Sequence, residues 1–383
     1  MKRVLVLCTG NSCRSIMAEG LINKIGEGRY KAVSAGSNPV GYVHPKSIET
    51  LQRHGIDIIE PRSKSWDEFA NEHFDLVITV CDAAAAESCP VFLGKHEKLH
   101  WSTPDPAKAT GTDEEVDAAF DEAFEMLKER VENMVRAEIA KKHLSNLIEA
   151  TKLMLQKHTS FPKDDLAGRM ITYFIFKQLD HAMSVIKLDP SMDAGLVSRT
   201  MIEGVINLSW ALEKSSERVR NWFDYSAVYD FKLLEQQNSS GSFVSEKDKT
   251  EVNENYEQNA HTFLTKNGNK HHDNFRKGKS LRDIIQGNVS LEGFYSNYQY
   301  FSDWAHWGSQ SLRHAIIESV EDISYYESEH VYRVPALVIA FVSLLDIAVK
   351  TNEHFKLKHV EALEEISNKM FEDLKKTGMQ FND

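Results

Sequence analysis

The chain has 383 residues, 42% of them hydrophobic and 27% charged, which predicts an ordinary soluble protein long enough for two domains. Its net charge of −12 argues against nucleic-acid binding, which needs a basic surface. The apolar start at residues 4–7 is too short for a signal peptide, and the longest apolar run, 336–349, is broken by Ser343 and Asp346 and predicts a core helix. We therefore expect neither a nucleic-acid nor a membrane partner.

The first 140 residues alternate between short apolar segments, typical of buried strands, and longer segments typical of helices. The predicted strands cover residues 4–7, 30–35, 76–80 and 99–101, and the predicted helices cover residues 16–25, 46–54 and 116–136. This alternation predicts an α/β domain over residues 1–140, with a parallel four-stranded sheet and flanking helices. Sites in such sheets lie at the carboxyl ends of the strands.

The loop after the first predicted strand is the most informative segment of the chain. Its residues are Cys8, Thr9, Gly10, Asn11, Ser12, Cys13, Arg14 and Ser15. A strand that turns through a small loop into a helix points several backbone N–H groups at one spot, which binds a tetrahedral oxyanion. Arg14 supplies a planar fork for two oxygens, and Cys8 supplies a nucleophile. We expect the helix dipole and Arg14 to lower the pKa of Cys8 well below its usual range.

All four cysteines lie in the first 89 residues, whereas a disulfide-stapled secreted protein would spread them along the chain. This favours redox or nucleophilic chemistry in a reducing compartment, and we expect a cytoplasmic location. Cys8 and Cys81 follow the first and third predicted strands, so they can be neighbours in space. The four alanines before Cys89 favour a helix that would hold the Cα atoms of Cys81 and Cys89 about 12 Å apart, against the roughly 7 Å limit for a disulfide. A bond between them requires local unwinding, and the alternative is two unrelated thiols.

Asp105 lies between Pro104 and Pro106, on a loop that the two prolines stiffen. A carboxyl group held in this way is suited to general acid catalysis. The alternative is a plain turn, for which this tripeptide is also typical.

Residues 141–383 show helical patterns and predict an all-α domain of unknown function. No Gly or Pro interrupts residues 112–160, so the predicted boundary falls inside or just after a continuous helix. The polar segment 236–280 predicts a mobile excursion. Arg199 and Glu203 share one face of a helix, where we favour a buried ion pair. We predict no metal site.

The loop from Cys8 to Ser15 resembles the signature loop of the low-molecular-weight tyrosine phosphatase fold. The longer run from Cys8 to Glu19 looks like that of the arsenate reductases of this fold rather than the phosphatases. The phosphatases usually carry an aromatic residue after the Asp-Pro pair, where this chain has Ala107. The resemblance therefore implies a small inorganic substrate, arsenate, and no cofactor.

The resemblance also implies roles for individual residues. Cys8 would attack arsenate held by Arg14 and the loop amides, while Asp105 protonates the departing oxygen. Cys81 would then attack Cys8 and release arsenite, and Cys89 would displace Cys8. An external thiol carrier, thioredoxin or a glutaredoxin/glutathione system, would reduce the resulting disulfide.

Three positions resemble a monovalent-cation site of some family members: Asn11, Glu19 and Ser34. A further acidic ligand is expected just after Ser63, but this chain has Lys64, whose ammonium group can replace the cation. The alternative is that Glu19 and Ser34 simply hydrogen-bond the loop.

Two other functions stay open on the sequence. One is a low-molecular-weight protein tyrosine phosphatase, and the other is a non-catalytic oxyanion sensor with a helical output domain. Release of arsenite in the presence of a thiol donor separates the reductase from both.

Overall fold

The computed structural model describes residues 1–81, 94–156, 161–268, 270–305, 316–318, 323–325 and 329–381. The chain divides into two compact units. The first comprises Met1–Ile139, Ile317–Val334 and Glu372–Asp383, and the second comprises Ala140–Ile316 and Pro335–Phe371. The main division lies next to the expected boundary at 140. The two later segments of the first unit differ from the expectation, which assigned all of 141–383 to the second domain.

The first unit contains the predicted α/β domain. Its strands are β1 (Lys2–Cys8), β2 (Tyr30–Gly36), β3 (Leu76–Thr79) and β4 (Glu97–His100), and its first helices are α1 (Arg14–Ile25) and α2 (Pro45–Arg53). The strands are all parallel, in the order β2-β1-β3-β4. The predicted four-stranded parallel sheet with flanking helices is thus confirmed.

The central strand β1 explains where the core of this sheet lies. Residues Val4 to Leu7 are fully buried, although successive side chains of a strand point to opposite faces. Both faces of the sheet are therefore covered, as a continuous apolar run predicts for a parallel sheet. Val4 pairs with Ala32 of β2 and with Leu76 of β3, so β1 and β3 end at the same edge.

Helix α3 extends from Asp113 to Gln156, a length of 44 residues without a break. The division between the two units falls inside it. Leu127 and Val131 are fully buried before the division, and Leu144 and Leu147 are fully buried after it. Because apolar positions recur at helical spacing on both sides, the sequence favours one helix over two helices joined by a linker.

The second unit is mainly helical in the part of the chain that the structure describes. Its helices are α4 (Leu166–Leu188), α5 (Asp193–Glu213), α6 (Arg220–Asp224), α7 (Ser226–Ser239), α8 (Glu246–Asn259), α9 (Leu281–Ile285) and α10 (Val289–Ala305). Helices α11 (Glu329–Phe355) and α12 (Val360–Lys375) each extend across a division between the units. Two short strands, β5 (Ile316–Glu318) and β6 (Ile323–Tyr325), pair with each other. All of their residues except Ile316 belong to the first unit, and within residues 141–383 they are an exception to the predicted all-α character.

The polar segment 236–280, for which composition predicted a mobile excursion, contains regular structure. It contains helix α8, and just after it Phe263 is fully buried. Phe263 packs with Val228, and Tyr225 and Tyr256 lie against the same cluster. The average polarity of the segment concealed the few aromatic side chains that anchor it.

Helix α11 contains the longest apolar run. Residues Tyr332–Phe355 are long and apolar enough to cross a membrane by length and composition alone, but 61% of the most apolar window is buried inside the protein. This burial is what a core helix shows, as the sequence predicted.

Candidate active site

The loop between β1 and α1 is shaped by hydrogen bonds from the segment that follows β2. Three of its carbonyl groups accept backbone hydrogen bonds, from Asn38 to Thr9, from Val40 to Gly10 and from His44 to Ser12. In a trans peptide the N–H group points opposite to the carbonyl, so the N–H groups of the same peptides face the other way. One of them, that of Asn11, donates to Cys8 Sγ at 3.0 Å. The loop therefore presents N–H groups on the side where the thiol lies.

Cys8 forms the floor of this loop and is only 4% exposed. Burial raises the pKa of Cys8 above its usual value of 9.0, and this outweighs the lowering effect of hydrogen bonds with Ser15 and the Asn11 N–H group. Cys81 raises the pKa further and Arg14 lowers it, both by smaller amounts. The expected low pKa of Cys8 is thus wrong for this site, because desolvation opposes the thiolate more strongly than nearby cations and donors favour it.

Arg14, the first residue of α1, joins the loop to the segment after β4. Its Nη1 donates to the carbonyl of Thr103 at 2.8 Å, and its Nη2 lies 3.0 Å from Oδ2 of Asp105. The side chain is 15% exposed, so the guanidinium is held at the edge of the site. The structure therefore brings together two residues that the sequence chose as anion clamp and general acid.

Asp105 lies between β4 and α3, at the start of a short 3₁₀ turn, Pro106–Lys108. One carboxylate oxygen caps this turn by accepting from the N–H group of Ala107 at 3.3 Å, which leaves the other oxygen for Arg14. The side chain is 29% exposed, so the carboxylate is accessible from solvent.

Arg130 is a residue that sequence reasoning missed. It lies on α3 and is only 4% exposed, and its Nη1 donates to Oγ1 of Thr103 at 2.7 Å. Thr103 is the residue whose carbonyl receives Arg14. A signal was present in the sequence, because Arg130 lies beside Leu127 and Val131 on the apolar face of a helix.

Cys81 follows β3 and lies at the same sheet edge as Cys8. It is buried, its thiol is free, and its Sγ is 3.7 Å from Oγ1 of Thr9. Thr9, the neighbour of Cys8 in the chain, therefore contacts Cys81, and the strands β1 and β3 that precede the two cysteines are paired. Cys89, predicted as its partner, lies outside the described residues.

Cys13 has a buried and free thiol at the end of the loop. Its Sγ lies 3.6 Å from Oγ of Ser12, and burial raises its pKa. These contacts fit a packing role for the side chain, while its backbone belongs to the loop.

The residues that resemble a monovalent-cation site contact one another and Lys64 directly. Oε2 of Glu19 accepts from the N–H group of Ser34 at 2.9 Å and from its hydroxyl at 2.6 Å. The ammonium group of Lys64 lies 3.2 Å from the same oxygen, and the side chains of Lys64 and Glu19 are only 11% and 14% exposed. Among the residues that the structure describes, no three His, Cys, Asp or Glu side chains are grouped to hold a metal ion.

Asn11 connects this ion pair to Cys8. Its φ of 46° lies in the left-handed region, which Asn tolerates better than most residues. Its Oδ1 accepts from the N–H group of Lys64 at 2.7 Å, and its Nδ2 donates to the hydroxyls of Ser34 at 2.9 Å and Ser15 at 3.0 Å. Because the Ser15 oxygen accepts from Asn11, its own hydrogen is available for Cys8 Sγ, 2.8 Å away.

The second unit holds the grouping around Arg199. Its guanidinium lies 3.6 Å from Glu203, donates to Ser302 at 2.8 Å and to the hydroxyl of Tyr298 at 2.6 Å, and lies over the Tyr298 ring. Arg199 and Glu203 thus face each other as predicted, but the predicted burial of the pair is wrong, because the two side chains are 19% and 37% exposed.

Two families match this chain. Residues 3–145 match the low molecular weight phosphotyrosine protein phosphatases, and residues 177–323 match a family of unknown function, DUF5677. The first match covers the domain that contains all the residues of the site described above.

Similar proteins and structures cover the same domain. The arsenate reductase of Halalkalibacterium halodurans is 41% identical over 130 residues, which are 34% of this chain and 92% of that protein. The arsenate reductase of Bacillus subtilis is 39% identical over 135 residues, 34% of this chain and 96% of that protein. A solved arsenate reductase in the phosphate binding state is 32% identical and covers 35% of this chain and 97% of its own, with a TM-score of 0.29. A low molecular weight protein tyrosine phosphatase from T. tengcongensis is 25% identical over 34% of this chain and 95% of its own, with a TM-score of 0.30.

Proposed function

The chain belongs, through its N-terminal domain, to the arsenate reductases of the low molecular weight phosphatase family, and we propose that it reduces arsenate to arsenite. The observation that carries the proposal is the convergence of Cys8, Arg14 and Asp105 at one edge of the sheet, with Arg14 in contact with Asp105. Ala107 leaves no aromatic wall after the Asp-Pro pair, which favours a small inorganic oxyanion over a phosphotyrosine ring.

The first step forms a bond between sulfur and arsenic. Arsenate binds to the Arg14 guanidinium and the loop N–H groups, and the Cys8 thiol gives its proton to a bound arsenate oxygen. The resulting thiolate attacks arsenic while one As–O bond breaks, and Asp105 protonates that oxygen so that it leaves as water. Arsenic stays pentavalent at this stage, in a covalent adduct with Cys8.

The second step reduces arsenic. The thiolate of Cys81 attacks the sulfur of Cys8, the S–As bond breaks, and its electron pair stays on arsenic, which leaves as arsenite. Cys89 then attacks Cys81 and releases Cys8, which gives a Cys81–Cys89 disulfide. A thiol carrier, thioredoxin or a glutaredoxin/glutathione system, supplies the two electrons that restore both thiols. This relay needs a reducing compartment, and we propose the cytoplasm.

The ammonium group of Lys64 takes the place of a monovalent cation in this proposal. It neutralises Glu19, and the Lys64 backbone fixes the amide of Asn11. Asn11 in turn sets the direction of the Ser15 hydroxyl toward Cys8. The ion pair therefore supports the nucleophile without an added ion.

The experiment that tests the function is steady-state arsenite release from arsenate by the full chain, with a thiol carrier and its reductase. We expect continuous release from the wild type and none from Cys8→Ser. A phosphatase would instead hydrolyse an aryl phosphate ester and release no arsenite. An oxyanion sensor would bind phosphate or arsenate and turn over neither compound.

A further inference from the structure

Arg130 is a buried cation on α3, near the segment that follows β4. It lies beside the fully buried side chains of Leu127 and Val131, and it is only 4% exposed. Its Nη1 donates to Oγ1 of Thr103 at 2.7 Å. Thr103 precedes Asp105 by two residues, so this contact joins α3 to the segment that carries Asp105.

Thr103 is held on both sides of its hydroxyl group. Its Oγ1 accepts from Arg130 at 2.7 Å and donates to the carbonyl of Trp101 at 2.8 Å. The next residue, Pro104, has a fixed φ, so the Thr103 peptide has little freedom once its hydroxyl is fixed. Its carbonyl oxygen then has a set direction, and Arg14 donates to that oxygen at 2.8 Å.

We propose that Arg130 is a positioning residue for oxyanion binding, acting through Thr103 on the guanidinium of Arg14. Arg14 has five donors in one plane, and two of them must meet oxygens of the ligand. A bond from Nη1 to the Thr103 carbonyl fixes the rotation of that plane. Arg130 therefore affects the affinity for the ligand without touching it. This inference rests on the proposed function only in that the ligand is a tetrahedral oxyanion.

The test uses inorganic phosphate as the probe and the full chain as the protein. Phosphate affinity is measured by calorimetry and by protection of Cys8 from alkylation, at a temperature well below the lowest unfolding midpoint of the variants. Thr103→Val removes the hydroxyl at nearly constant volume, and Arg130→Met removes the charge. Because displacement of a binding group by about 1 Å can cost up to about 100-fold, we expect each variant to bind phosphate at least about 10-fold more weakly.

Conservative variants and a matched control distinguish a positioning role of Arg130 from a purely stabilising role. Thr103→Ser keeps the hydroxyl and should bind phosphate as the wild type does, and Arg130→Lys should recover part of the affinity. The control is Arg136→Met on the same helix, which loses bonds to Glu132 and Thr377 and should lose stability without losing affinity. The double variant at 130 and 103 should bind no more weakly than the weaker single variant, because both changes break one connection.

The outcomes are distinct. If Thr103→Val and Arg130→Met bind phosphate within twofold of the wild type while their unfolding midpoints fall, the role of Arg130 is structural and the inference is overturned. If Arg130→Met does not fold, the two Thr103 variants decide alone. If the phosphate affinities of the wild type and the variants follow the expected order, but the wild type releases no arsenite, the proposed function is refuted and this inference is supported.

Discussion

Nη2 of Arg14 lies 3.0 Å from Oδ2 of Asp105, so the proposed anion clamp and the proposed general acid form an ion pair with each other. A carboxylate and an oxyanion compete for the same face of a guanidinium. In the proposed reaction, arsenate that binds to Arg14 therefore weakens the contact between Arg14 and Asp105.

This competition gives opposite predictions for chemistry and binding. Asp105→Asn should lower single-turnover arsenite formation by about 10²- to 10⁴-fold, the range for loss of a general acid. The same variant should bind inorganic phosphate at least as tightly as the wild type, because its Arg14 has no ion pair with a carboxylate that phosphate must break. Rapid-quench analysis of arsenite and calorimetry with phosphate measure the two effects. Asp57→Asn, at an exposed position, is the control, and weaker phosphate binding by Asp105→Asn would contradict the competition.

The raised pKa of Cys8 predicts its reactivity toward an alkylating reagent. In the absence of oxyanion, its alkylation rate should keep rising above pH 9, because the thiol form persists past its usual pKa of 9.0. Ser15→Ala removes a hydrogen bond that lowers the pKa, so it should move the profile to still higher pH. Mass mapping is needed to separate Cys8 from Cys13 and Cys81. Half-maximal alkylation of Cys8 below pH 8 would show that the site activates the thiolate on its own.

The same shift predicts how stability depends on pH. The unfolded chain releases the Cys8 proton at a lower pH than the folded chain does, so the stabilisation from the buried thiol is complete below about 9 and is lost as pH rises through the folded pKa. The free energy of unfolding of the wild type should fall more steeply above pH 9 than that of Cys8→Ser. Denaturant titrations at pH 7, 9 and 10 measure the difference, and parallel curves would contradict it.

The relay predicts which intermediate accumulates when one thiol is removed. Cys89→Ser should complete one turnover and then stop as a Cys8–Cys81 disulfide, because only the last transfer is lost. Cys13→Ser is the matched control and should turn over continuously. Peptide mass mapping after one equivalent of arsenate identifies the bond. Continuous turnover by Cys89→Ser with the same carrier would show that Cys89 takes no part.

The ion pair of Lys64 and Glu19 predicts that the reaction rate does not depend on which monovalent cation is in the buffer. The wild-type rate should be the same in potassium and sodium chloride. Lys64→Met leaves the Glu19 charge without its partner and should cost about 3 kcal/mol of stability, with a rate that potassium partly restores. Lys128→Met is the control, because its partner Glu125 lies on the surface and such pairs are worth about 0.5 kcal/mol. Activation of the wild type by potassium would contradict the prediction.

Much of the fold could be predicted because the strands of this domain are apolar runs between polar loops. Helix α1 was predicted from residue 16, and the structure begins it at Arg14. The edge strand β4 was predicted at 99–101 and is found at Glu97–His100, because an exposed edge leaves no apolar pattern at its start. The convergence of Cys8 and Cys81 followed from parallel strands ending at one edge.

The remaining features depend on contacts that no local pattern contains. Arg130 and Thr103 are 27 residues apart, and their bond exists only because α3 packs beside the segment after β4. The direction of the pKa shift of Cys8 could not be predicted from the sequence either. A motif names the cations and donors near a thiol, but desolvation depends on how completely the rest of the domain covers it.

The burial of Cys8 has a consequence for survival of the enzyme between turnovers. Oxidation of cysteine by peroxide follows thiolate character and exposure. Cys8 is 4% exposed and its pKa is raised, so hydrogen peroxide meets a covered and protonated sulfur. Burial and a raised pKa should therefore slow the conversion of Cys8 to sulfinic acid, which no thiol carrier can reverse. In the proposed reaction, the arsenate that enters the site takes the proton of this thiol.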